Sequence, residues 1–81
     1  MTKIEDVKKI VKAHKEDLNS IAKAVLLVDG VEVNPVESGI DISVYSNDYK
    51  RFLGLVKVRQ SSNPYETYWY VVEQRKVWQW T

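Results

Sequence analysis

The sequence predicts an α+β domain: one N-terminal amphipathic helix packed on an antiparallel meander sheet of five or six strands. Three observations predict it. Apolar residues recur at three- and four-residue spacings over the first 25 positions. Period-two alternation takes over beyond position 30, broken by Gly, Pro, Asn, Asp and Ser clusters. All nine aromatic residues stand at or after Tyr45, so the helix is aliphatic and the sheet carries the rings.

The helix starts at Thr2, a candidate N-cap with Glu5 three residues on, as in a capping box. Ile4, Val7, Val11, Leu18, Ile21 and Val25 form its stripe, with His14 in the one gap. Lys8, Lys9, Lys12, Lys15 and Glu16 lie opposite, where a solvated face is the simplest reading, and Glu5 stands at i,i+4 from Lys9. Asn19 and Ser20 are poor interior residues, which places the helix end between Leu18 and Lys23. Three heptads are about the minimum for a coiled coil, and packing on the chain's own sheet is the better reading.

Val25–Val33, VLLV-DG-VEV, then reads as a hairpin with Asp29-Gly30 in a type I′ turn. Asn34-Pro35 closes that strand, since proline cannot donate to a ladder. Ile40, Ile42 and Val44 alternate with Asp41, Ser43 and Tyr45, and Ser46-Asn47-Asp48 is a turn cluster. Phe52–Arg59 is a further strand, with Gly54 a candidate bulge. Ser61-Ser62-Asn63-Pro64 is a loop. In the last stretch, a hairpin with its tip at Gln74-Arg75 would pair Glu73 with Lys76, Val71 with Trp78 and Trp69 with Trp80. No glycine stands at that tip, so a single bent strand with a bulge is the alternative. The order of elements, helix first and meander after, is similar to that of cystatin-like folds, as an architectural likeness only.

Composition bounds the chemistry. Eighty-one residues make a single domain over 1–81, burying about 60–65% of the surface its unfolded chain exposes. Twelve basic and eleven acidic side chains leave a net charge of +1, neither a duplex binder's footprint nor a nucleic-acid mimic's. Cysteine is absent, which excludes disulfides, thiolate catalysis and thiolate-ligated metals. The first eighteen residues alternate charges with aliphatics, unlike a signal peptide, and no stretch is apolar enough to span a bilayer. The expected location is therefore cytoplasmic, with no membrane partner.

Catalytic and cofactor signatures are missing, so the expectation is a non-enzyme with no cofactor, no metal and no catalytic residues. His14 is the only histidine, read as a hydrogen-bonded residue at the core's edge, too few for a metal site with Asp17 alone. Adjacent Glu5-Asp6 and Glu16-Asp17 point about 100° apart on a helix and cannot converge on a substrate. Three scattered glycines make no phosphate loop.

The aromatic ending is the informative feature. Successive strand residues face opposite sides, so Tyr68, Trp69 and Tyr70 cannot all face the helix. Such rings can be core and cross-strand pairs in a curved sheet. Rings left on the uncovered face would instead form a protein-docking surface built from Tyr68, Trp69, Tyr70, Arg75, Trp78 and Trp80. The leading expectation is a small protein-binding module: an inhibitor, adaptor or accessory protein of the kind phages and mobile elements carry. A single-stranded nucleic-acid binder is the alternative, stacking bases on Tyr68, Trp69 and Tyr70 beside Lys57, Arg59 and Arg75. Self-association as a structural homodimer is the third.

Overall fold

The computed structural model describes residues 2–61 and 69–76. The described chain is α+β: helices α1 (Lys3–Ala13) and α2 (Leu18–Leu26) pack on one face of an antiparallel sheet. Strands β1 (Val31–Val36), β2 (Gly39–Tyr45) and β3 (Phe52–Gln60) form a three-stranded meander, and β4 (Trp69–Lys76) adds to the other edge of β3. The described sheet thus has four strands in sequence order, not five or six. No described helix is long and apolar enough to cross a membrane.

The single expected helix is two. α1 stops at His14, whose N–H is shared between the carbonyls of Ile10 and Val11, and the chain turns before Asp17. Asp17 then caps α2, its carboxylate accepting from the Asn19 N–H at 3.1 Å and the Ser20 hydroxyl at 2.9 Å. Thr2 caps α1 as expected, taking the Glu5 N–H on its hydroxyl oxygen. Substituting Asp17 by alanine should cost about 1 kcal/mol in urea unfolding, the usual loss for an exposed N-cap. An unchanged midpoint would mean that the Asp17 cap does not hold α2.

Residues Val25–Val28 do not form a strand, because α2 carries the stripe on through Val25 to Leu26. Asp29-Gly30 is the turn from helix to β1, and only Gly30 has positive φ (+82°), so the type I′ hairpin is excluded. The first hairpin turn is Glu37-Ser38 instead. β1 runs straight through Pro35, opposite Ile40. Alternation explains why. The Tyr45 N–H donates to the Gly30 carbonyl at 2.6 Å, which sets Gly30, Glu32, Asn34 and Val36 as the residues bonded to β2. Pro35 falls at an outward position of an edge strand, where no N–H is needed.

The core lies between helices and sheet. Ile4, Val7 and Val11 of α1 and Ile21 and Val25 of α2 meet Val31, Ile40, Ile42, Val44, Val56 and Val58, all buried. Ile42 is central, flanked by Val33 on β1 and Val56 on β3. α2 rests against β1, and α1 against β3 and β4. Beyond β2, Ser46–Arg51 makes the turn into β3: the Ser46 N–H donates to the Arg51 carbonyl at 2.8 Å. The irregularity expected at Gly54 falls next to it, where the register shifts between the pairs Val44–Gly54 and Tyr45–Phe52 and leaves Leu53 as the extra residue.

Over Trp69–Lys76 the last stretch is one strand. Gln74 and Arg75 pair with Val56 and Leu55 of β3 and are not a hairpin tip. Val71 lies opposite Val58 but Glu73 opposite Lys57, so one extra residue, Val72, makes a bulge. The expected pairs with Trp78 and Trp80 fall outside the described residues.

Candidate functional site

Trp69 opens β4 and is the best-defined of the expected docking residues. Its backbone N–H donates to the Lys15 carbonyl in the turn between the helices, at 2.7 Å. By register it stands opposite Gln60, on the helix-facing side of the sheet, where its half-buried ring packs against the core. It is therefore not a ring on the uncovered face. Trp69 also lines an open cleft of about 410 Å³ with Leu18, Val36, Gly39, Arg59 and Gln60.

Tyr70 and Arg75 occupy β4 positions opposite Arg59 and Leu55. Tyr68, Trp78 and Trp80 lie outside the described residues. The sheet thus brings Tyr70, Arg59 and Lys57 onto adjacent strands, as the nucleic-acid reading requires.

The uncovered face is polar at its centre. Asn34 Nδ2 donates to the Ser43 hydroxyl at 3.3 Å. Lys57 stands opposite Asp41 on β2 and Glu73 on β4, an acidic residue on either side. The Arg59 guanidinium is committed to the protein. Nη1 donates to the carbonyls of Val58 (2.9 Å) and Ile40 (3.1 Å), and Nη2 forms an ion pair with Asp41 Oδ1 at 3.0 Å. That contact is close but too poorly aligned to count as a hydrogen bond, and the oxygen has no other described partner. Both side chains keep about a quarter of their surface in solvent (23% each), so the pair is partly screened.

The described rings outside β4 gather at the opposite end of the sheet. Tyr45 meets Phe52 edge-on, with centroids 5.4 Å apart, and Tyr49 at 6.0 Å. Sequence reading did not single out this group, although the three rings flank the Ser46-Asn47-Asp48 turn that it did identify. In that turn the Ser46 hydroxyl and the Lys50 N–H bond the Asp48 carboxylate and hold it below the usual carboxylate range.

His14 is exposed at the end of α1 and is not the core-edge residue expected, because the helix ends there and the stripe restarts at Leu18. It borders a shallow depression with Lys12, Glu16, Asp17 and Ser20. Among the described residues no three His, Asp or Glu side chains gather closely enough to hold a metal ion. No protein-family model, curated protein or solved structure matches this chain.

Proposed function

We propose that the chain is a small non-enzymatic protein-binding module whose docking surface centres on Trp69 and extends over Tyr68, Tyr70, Arg75, Trp78 and Trp80. One observation carries the reading: Trp69 is anchored by its backbone and packs half-buried against the core, and it also lines an open cleft with Leu18, Val36 and Arg59. A large ring held in place before binding loses little conformational freedom when a partner covers it. An inhibitor or adaptor role, in the cytoplasm, fits a chain with no catalytic signature. The nucleic-acid alternative is disfavoured because Arg59 is tied to Asp41 and two carbonyls, and Lys57 lies between acidic neighbours.

The test removes the other indoles. In a Trp78→Phe/Trp80→Phe variant, acrylamide should quench Trp69 to an intermediate degree, and Trp69→Ala should cost about 1–2 kcal/mol, below the roughly 3–5 kcal/mol of a fully buried tryptophan. Complete shielding with a core-sized loss of stability would make Trp69 a core residue and end the proposal. Concentration-dependent shielding, matched by sedimentation, would make the partner a second copy of the chain.

A further inference from the structure

The other edge of the sheet carries its own signal. We infer that β1 is a second docking surface, which accepts an extended antiparallel segment of alternating apolar and basic residues. This does not rest on the Trp69 reading, since β1 and β4 are opposite ends of the strand order.

Among the described residues β1 pairs only with β2. With Gly30, Glu32, Asn34 and Val36 bonded inward, the outward backbone groups are the N–H of Val31 and Val33 and the carbonyls of Val31, Val33 and Pro35. Pro35 removes the third donor, so the edge offers a ladder about two residues long at its N-terminal half. Leu26 and Leu27, 55% and 87% exposed, stand at the end of the helix that rests on β1, three residues of turn before the strand begins. Large aliphatics so exposed, on the helix that packs against an edge strand, mark a surface suited to contact.

Charge selects the occupant. Residues 28–39 contain Asp29, Glu32 and Glu37 and no lysine or arginine, and all three carboxylates are exposed. A second copy of β1 would bring its own carboxylates to this acidic edge, whereas a basic segment complements it. The pleat then fixes the pattern. In an antiparallel pair, residues directly opposite share a face. Partner residues bonded to Val31 and Val33 therefore point to the helix side, where the core and α2 lie, and apolar residues suit them. The residues between them point to the side of Glu32, where lysine or arginine suits.

The probe is a capped eight-residue peptide alternating lysine and valine, used where it is monomeric by sedimentation, with the full chain. Amide exchange at Val31 and Val33 should slow at least ten-fold at saturation. A glutamate–valine peptide should give no slowing, nor should the lysine peptide N-methylated at each valine, which lacks the ladder donors. Glu32→Lys, at an exposed position, should reverse the preference between the lysine and glutamate peptides. The proposal falls if the lysine peptide leaves Val31 and Val33 unprotected, if the N-methylated peptide protects them equally, or if Glu32→Lys leaves the preference unchanged. Protection that grows with protein concentration alone would assign the edge to self-pairing and overturn it too.

Discussion

Replacing Ile42 by alanine is expected to cost about 3–4 kcal/mol of stability, within the usual range for a buried isoleucine. Ile42 is fully buried at the middle of β2, with Val33 and Val56 beside it and the helices above. A neighbour cannot collapse into the gap without breaking the ladders on both sides, so much of the cavity should persist. A domain of 81 residues has roughly 4–12 kcal/mol in total, and such a loss consumes a large share of it. Urea unfolding with an unchanged slope and a lowered midpoint is the expected record. A loss under about 1 kcal/mol would contradict the placing of Ile42 at the centre of the core.

Gly30→Ala should be comparably damaging for a different reason. Gly30 has a φ of +82°, outside the conformations that alanine prefers, which alone costs about 1–2 kcal/mol. The new methyl group would also collide with the fold. A Cβ there would lie 2.5 Å from the Tyr45 carbonyl oxygen and from Lys3 Nζ, and closer still to the Ser46 carbonyl oxygen. These are not idle atoms. Lys3 Nζ donates to the Tyr45 carbonyl at 2.7 Å and to Asn47 Oδ1 at 2.8 Å, tying the start of α1 to the end of β2. Backbone oxygens cannot step aside as a flexible side chain can, so a total of about 3 kcal/mol or more is expected by thermal or urea unfolding. The double variant Lys3→Ala/Gly30→Ala separates the two parts: removing the amine relieves one collision and leaves the carbonyl ones. Wild-type stability in Gly30→Ala would contradict the geometry of this turn.

The helical stripe was legible because five of its six aliphatics are buried and the sixth, Leu18, is half-buried. The break inside the stripe was not. Asp17 reads as an ordinary polar residue on a continuous helix until its carboxylate is seen capping Asn19 and Ser20. Asp29-Gly30 announced a turn correctly, but not what preceded it: Val25–Val28 is as plausible a strand as a helix end, and packing of Val25 in the core decides for the helix. Pro35 misled because a proline forbids only one of the two hydrogen-bonding directions, and that direction is outward here. For the site, one covered face was legible, but not that Trp69 falls on it: alternation separates Trp69 from its neighbours without saying which of them meets the helices. The bulge at Val72 shifts register in mid-strand, and strand alternation alone does not reveal such a shift.

The distribution of the core along the chain has a further consequence. The buried core cluster runs from Ile4 to Val58, and Trp69 and Val71 of β4 pack half-buried against it. During synthesis, the whole set is already made before β4 is added. Each strand of the meander then meets the one just before it, so building the sheet needs no distant partner, and only α1 has to reach forward to β3 to close the core.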